Sequence, residues 1–413
     1  ALAAALELSR ATIARAYGNL ISAGFANARR GSGTHVRIPR DLRRINDYAL
    51  APDLPGSGKA IDLNYAASSA VPGAIDAYKR ALEQLPSYMS SNGYFSAGLP
   101  ELRNEIANRF NARGLPTMAS QVLITPGALP AIAIAGLALS GKRNRVVVES
   151  PVYPNSVSAL RLGGAVIVSS PLADPLGDSA WDFDTIEETL QQSSAKLTYL
   201  IPDFQNPTGF LMRDDEREQY SSLLRRRQCT AIVDEILEPT HFAGGPMPAP
   251  FAAFHADTIS IGSASKIFWG GLRVGWIRAP FQYIDKLLSS RLSLDLGSSL
   301  FDQLVVMELL RDTRILALRR RQLRRQRDAL AAALKSHFPD WHFRLPNGGL
   351  TLWARLPGGG ATRYAAAMQD LGIHLAPGPV FSIDGGADDY IVKPVVAKKL
   401  IARVQKVFRL QKH

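Results

Sequence analysis

Ser263-Ala264-Ser265-Lys266-Ile267-Phe268-Trp269-Gly270-Gly271-Leu272-Arg273-Val274-Gly275-Trp276 places one lysine directly after two hydroxyls and seven residues before an arginine, with glycines between. A lysine amine condenses with an aldehyde, and Ser and Arg side chains hold a phosphate through charge-assisted hydrogen bonds. The stretch therefore reads as an anchor for a ligand that carries both groups. A surface turn would account for the lysine and serines alone, so the reading depends on what stands upstream.

Aldehyde and phosphate are the two handles of pyridoxal 5′-phosphate (PLP), whose chemistry also needs a carboxylate at the pyridine nitrogen. About thirty residues upstream, Cys229-Thr230-Ala231-Ile232-Val233-Asp234-Glu235 reads as a buried parallel strand that ends in carboxylates. Ligands bind at the carboxyl ends of strands in open α/β sheets. Asp234 is placed to hold the ring nitrogen protonated, although a turn or N-cap acid is the ordinary role of an Asp after a strand. Tyr199-Leu200-Ile201-Pro202-Asp203-Phe204-Gln205-Asn206-Pro207-Thr208-Gly209 is another strand followed by an Asn-Pro turn, where Asn206 can present its amide to the ring 3-oxygen. Val146-Val147-Val148-Glu149-Ser150-Pro151-Val152-Tyr153 ends in an aromatic that either packs or stacks on the ring. Ile124-Thr125-Pro126-Gly127-Ala128-Leu129 leads into an apolar helix, Pro130 to Leu139, whose N-terminal N–H groups can receive a phosphate.

Taken in order, these segments resemble the fold-type I PLP enzymes of the aminotransferase class I/II family over about residues 61–413. The resemblance implies that Lys266 forms the Schiff base and Asp234 pairs with the pyridine nitrogen. It further implies that Asn206 binds the 3-oxygen, that Tyr153 stacks, and that Ser263, Ser265, Arg273 and the Gly127-Ala128 backbone hold the phosphate. Gly93-Tyr94-Phe95-Ser96-Ala97-Gly98-Leu99-Pro100-Glu101-Leu102-Arg103 is similar to the family's Tyr-x-x-x-Gly-x-x-x-Leu-Arg segment. There Tyr94 would reach the phosphate of a neighbouring subunit, which implies a homodimer.

Three departures stand out. After Asp234 the run Glu235-Ile236-Leu237-Glu238-Pro239 lacks the family's tyrosine donor to the 3-oxygen, which should raise the pKa of the Schiff base. Ala128 and Leu129 replace the hydroxyl and Gln or Glu common in the phosphate turn. In Asp389-Tyr390-Ile391-Val392-Lys393-Pro394, Val392 falls where the family has the Arg that clamps a substrate carboxylate. Lys393 is the neighbouring cation, but strand alternation turns it to the other face unless a bulge precedes Pro394.

The first residues read differently. Leu2 to Leu8 is helical in pattern, and Ser9 can cap a second helix with Ile13, Ala16, Tyr17 and Leu20 on one stripe. Arg10, Thr12 and Arg15 lie off that stripe. After the turn at Ala23-Gly24, Phe25 to Val36 forms a strand pair around a basic tip that holds Arg29 and Arg30. Between Ala1 and Ile45, eight Arg stand against Glu7 and Asp41, a net +6 that suits double-stranded DNA. A basic dimer arm would share that charge.

The segment is similar to the winged helix of GntR-type regulators, entered partway, so an earlier helix is expected upstream of Ala1. A GntR winged helix ahead of an aminotransferase-like domain resembles the MocR regulators. The organisation expected is a partial winged helix-turn-helix at 1–37, a Pro- and Gly-punctuated linker at 38–60, and a PLP-binding domain at 61–413. That domain divides into a large lobe at about 90–305 and a small lobe at about 310–413.

The α/β class follows from strands near 121–125, 146–149, 165–169, 198–201, 230–234 and 258–262 alternating with helices, as in a mainly parallel sheet. A smaller α+β lobe with a strand from Gly349 to Leu356 follows. The 413 residues, 46% of them apolar, can bury one large core plus a small module. Net charge is +12, part of it in Arg319, Arg320, Arg321, Arg324, Arg325 and Arg327, expected on a solvated helix face with DNA wrapping across it as the alternative. The single cysteine, Cys229, excludes an intramolecular disulfide and fits a reducing cytoplasm. No apolar run reaches a membrane span, and the seven histidines show no metal-ligand spacing.

These features converge on a cytoplasmic regulator that binds DNA and senses PLP, an amino acid or another small amine through Lys266. A working aminotransferase whose N-terminal segment is only a dimer arm is the alternative, and a scaffold that has lost PLP is a third reading.

Overall fold

The computed structural model describes residues 9–22, 26–29, 33–36, 50, 61–139, 144–383 and 389–394. The expected helix Leu2 to Leu8, the site residue Arg30 and nearly all of the linker lie outside these. The chain divides into two compact units, Ala1–Ala51 and Pro52–His413.

In the first unit the helix Arg10–Ser22 begins where Ser9 stops it. Ser9 Oγ accepts the Thr12 N–H at 3.0 Å, and the Ser9 carbonyl accepts the Ile13 N–H at 3.1 Å. That is the N-cap anticipated from the sequence. Arg10, Thr12 and Arg15 are exposed on this helix. Strands β1 (Ala26–Arg29) and β2 (Gly33–Val36) pair antiparallel, with Arg29 opposite Gly33.

The second unit is organised by a seven-stranded sheet. Its strands are β4 (Val122–Thr125), β5 (Arg145–Ser150), β6 (Val166–Pro171), β7 (Leu197–Leu200), β8 (Thr230–Asp234), β9 (Thr258–Ser263) and β10 (Gly275–Arg278), in the order β4-β10-β9-β8-β7-β5-β6. Pairs β6–β5, β5–β7, β7–β8 and β8–β9 are parallel. Both faces are covered. Val146 and Val148 enter one apolar cluster while Val147 enters another, as continuous apolar runs in a helix-flanked sheet require.

Six of the strands stand where the sequence pattern puts them, within two residues. The seventh, β10, runs antiparallel to β9 and β4 and was not legible. It is four residues long and sits in a Gly-rich run that reads as loop. Glycine is what admits it: a Cβ at Gly262 would lie 2.2 Å from the Trp276 indole nitrogen opposite.

A long helix, Thr313–His337, leads to a second sheet of β11 (His342–Phe343), β12 (Thr351–Arg355), β15 (Tyr390–Pro394) and β14 (Ala376–Pro377). Trp353, fully buried, stacks on Tyr390 there at 5.1 Å between centroids. The short strands β3 (Ile61–Asp62) and β13 (Ile373–His374) pair in parallel and tie the start of the unit to this lobe.

The long helix corrects one expectation. Its arginines do not form a uniformly solvated face. Arg319 is fully buried and Arg327 nearly so, while Arg321, Arg324 and Arg325 are exposed. Arg319, Arg320 and Arg327 donate to main-chain carbonyls of Ile267, Pro239 and Pro346. Loop carbonyls without strand or helix partners need donors, and long guanidinium forks supply them. Among the described residues no helix is long and apolar enough to cross a membrane.

Glu149, buried at the end of β5, accepts the Trp181 indole N–H at 2.7 Å and the Ile201 N–H at 3.1 Å. It thereby stitches β5 to the chain leaving β7. Burial lifts its pKa from 4.5 to about 7, against those two hydrogen bonds. A carboxyl whose folded pKa is raised favours folding below its unfolded pKa, and that contribution is lost as pH rises through the folded value. Between pH 5 and pH 8 the wild-type chain should therefore lose about 2–3 kcal/mol more stability than Glu149→Gln. Denaturant unfolding at the two pH values reads the difference, and parallel losses in both chains would count against the assignment.

Candidate functional site

The carboxyl ends of β4, β5, β7, β8 and β9 open on one edge of the sheet, and the expected site residues gather there. Asp234 ends β8 and is 2% exposed. Its Oδ2 accepts the Tyr199 hydroxyl at 2.8 Å, and its Oδ1 accepts the Ile236 N–H at 3.0 Å. Burial raises its pKa to about 6, while those donors and the positive charge of Lys266 pull the other way.

Lys266 lies three residues beyond β9 in a turn closed by the Phe268 N–H on the Ala264 carbonyl. It is half-buried, and its Nζ donates to the Ala66 carbonyl at 3.0 Å. Burial lowers its pKa, helped by Arg273 and opposed by Asp234. A lysine with a lowered pKa is more often the free amine, the form that attacks a carbonyl.

Asn206 follows β7 in a loop fixed by its neighbour. Gln205 donates to the Pro151 carbonyl at 2.8 Å and accepts the Thr208 N–H and hydroxyl at 3.1 and 2.6 Å. The peptide bonds Ser150-Pro151 and Asn206-Pro207 are both cis. Tyr153 caps the helix Pro154–Leu162, and burial first, then the charge of Asp234, pushes its pKa to about 12.

The phosphate turn is shaped by close approach. Gly127 has φ +115°, and a Cβ there would lie 2.6 Å from the Arg273 guanidinium. A Cβ on Gly275 would lie 2.6 Å from the Gly127 carbonyl carbon. Only glycine meets both demands. Arg273 donates to the Pro126 carbonyl at 3.2 Å, and Ser263 Oγ accepts the Ser265 N–H at 3.1 Å. The helix starts at Ala128, two residues earlier than expected, and aims its free N–H groups at this turn.

Two further residues were expected to act from a second subunit or from the C-terminal strand. Tyr94 is 65% exposed on the surface of the single chain. Lys393 lies in a ladder that pairs one-to-one from Tyr390 to Pro394 with Arg355 to Thr351, so no bulge interrupts the strand alternation expected there. Val392, opposite Trp353, is buried. The side chains of Lys393 and Arg29 lie outside the described residues.

Sequence reasoning passed over Tyr199, Thr125 and Ala66. Tyr199 was legible: its strand places it opposite Ile232, and the period of two puts it on the face that carries Asp234. Thr125, whose hydroxyl donates to the Gly127 carbonyl at 2.9 Å, and Ala66 act through main-chain contacts that leave no pattern.

The donor set fits PLP. Among the described residues Ser265 Oγ is buried with no partner, and a phosphate oxygen would accept its hydroxyl; Asn206 Oδ1 is likewise buried and unpaired, and the Nδ2 of the same amide is the group that can donate to a ring oxygen. The profile described as aminotransferase class I and II matches residues 63–388. The 2-aminoadipate transaminase of Thermus thermophilus is 29% identical over 286 residues, covering 67% of this chain and 71% of its own. The uncharacterized HTH-type transcriptional regulator YdcR of Escherichia coli is 28% identical over 409 residues, covering 91% and 84%. Among solved structures, an alpha-aminoadipate aminotransferase from Thermus thermophilus, complexed with N-(5′-phosphopyridoxyl)-L-leucine, superposes with a TM-score of 0.74 at 26% identity over 82% of this chain and 88% of its own. The fold is that of the fold-type I PLP proteins, and the cofactor is PLP. With more than half of its length matched and the cofactor's donor set assembled at the strand ends, the chain belongs to the aminotransferase class I and II family.

Proposed function

We propose that the protein is a cytoplasmic transcriptional regulator of the MocR/GntR type, which binds double-stranded DNA and senses PLP, an amino acid or another small amine. The observation that carries this reading is the extent of the match to YdcR. A match over 91% of the chain cannot be accommodated by residues 63 onward alone, so it takes in part of the N-terminal unit. Ser9 then caps a recognition helix that offers Arg10, Thr12 and Arg15 to the major groove, and Arg29 and Arg30 of the wing meet phosphates.

PLP, once bound, supplies an electron-withdrawing ring that stabilises negative charge beside an attached amine nitrogen. Lys266 is the anchoring amine. Asp234, held by Tyr199 and the Ile236 N–H, keeps a proton on the ring nitrogen. Asn206 presents its amide to the 3-oxygen and Tyr153 covers the ring. Ser263, Ser265, Arg273 and the Gly127-Ala128 N–H groups hold the phosphate, joined by Tyr94 of a second copy in a homodimer. With an amine effector in place of Lys266, the Lys266 Nζ would donate to the Ala66 carbonyl, the contact it makes here at 3.0 Å. That is a two-state element which effector chemistry can bias.

A second reading, a working aminotransferase with the N-terminal unit as a dimer arm, is favoured by the lowered pKa of Lys266, which suits a proton-transferring base. Steady release of a 2-oxo acid from common amino acids would support it over sensing.

Two outcomes are expected. Titrating the full chain with PLP develops a visible absorbance band that Lys266→Ala lacks; a band of equal strength in the variant would remove Lys266 as the anchor. In salt-dependent binding to DNA from upstream of its own gene, Arg29→Ala with Arg30→Ala lowers the slope of log affinity against log salt by about two. Binding indistinguishable from that of an unrelated basic protein would end the regulator reading.

A further inference from the structure

Arg319 is fully buried and is hydrogen-bonded to the residue next to Lys266, and among the described residues none of its hydrogen bonds goes to a carboxylate. Its Nε donates to the Ile267 carbonyl at 3.0 Å, its Nη2 to the carbonyls of Phe268 (3.1 Å) and Ser69, and its Nη1 to Gln322 Oε1 at 3.0 Å. Burial alone pulls its pKa down. Removing a guanidinium from water without a counter-charge is expensive, and an apolar side chain would fill the same space at less cost. The placement of the three carbonyls explains what the arginine adds.

Ile267 and Phe268 are the two residues directly after Lys266. Ser69 lies three residues beyond Ala66, whose carbonyl holds the Lys266 amine. One rigid fork thus binds both sides of the slot in which Lys266 sits. The same slot is braced by the Val71 N–H on the Phe268 carbonyl at 3.2 Å. Arg319 itself rides on the helix Thr313–His337 that leads into the smaller lobe. A planar guanidinium fixes the spacing of the carbonyls it bridges, which a flexible ammonium does not.

We propose that Arg319 is a positioning residue: it sets the spacing between the Lys266 turn and the Ala66–Ser69 segment, and so the environment of the Lys266 amine. The proposal rests on the assignment of Lys266 as the PLP anchor. Without the fork, the slot widens, water reaches the amine, and the amine's pKa rises toward that of an ordinary lysine.

The test uses the full chain carrying Arg319→Met or Arg319→Lys. In the cofactor-free protein, Lys266 acetylation by acetic anhydride is followed against pH by peptide mass spectrometry. In the loaded protein, the pH midpoint of the visible band is recorded. Arg319→Met should raise the half-labelling pH by about half a unit or more and shift the band midpoint, with Arg319→Lys in between. Folded variants with an unchanged labelling profile and band midpoint overturn the proposal, even if both melt at lower temperature. If Arg319→Met fails to fold, Arg319→Lys decides on the same criterion. Should the wild-type chain give no visible band, the assignment of the site fails, and the labelling profile still judges Arg319 separately.

Discussion

Asp234 and Lys266 stand at the ends of neighbouring parallel strands, one carboxyl almost sealed from water and one amine half-buried beside it. Neither charge is fully solvated. Burial raises the acid's pKa to about 6 and lowers that of the amine, while each group's charge partly offsets the cost of the other. Much of the surrounding structure maintains this arrangement. Tyr199 and the Ile236 N–H satisfy the carboxylate, and the Ala66 carbonyl satisfies the amine. The sheet excludes water beneath them with side chains that bury both faces.

The turn proposed to hold the phosphate depends on a different constraint, the contact of backbone with backbone. Gly127, Gly262 and Gly275 let β10 slide between β4 and β9 and press Arg273 against the turn before the helix Ala128–Leu139. Charge and donors then converge on a small volume without a designed loop of hydroxyls. The helix N-terminus supplies what Ala128 and Leu129 do not, because its free N–H groups belong to the backbone whatever the side chains.

What the sequence made legible follows from this division. Side-chain chemistry at strand ends was readable: the carboxylate after an apolar run, the lysine after two hydroxyls, and the tyrosine before a helix all stand at the same edge. Six strands were readable from apolar runs, and the Ser9 cap from its position before a helical stripe. Features built by the main chain were not. β10 reads as a loop because its glycines serve packing, and the choice between plain alternation and a bulge before Pro394 is made by an unbroken ladder that the sequence leaves open. The arginines of the long helix read as solvated because charge patterning alone does not show which guanidiniums meet carbonyls.

The most direct test of the account is to load the full chain with PLP, reduce it with borohydride, and map the adduct by peptide mass spectrometry. A single phosphopyridoxyl group on Lys266 is the expected result. An adduct spread over surface lysines, or none at all, would contradict the assignment of the site.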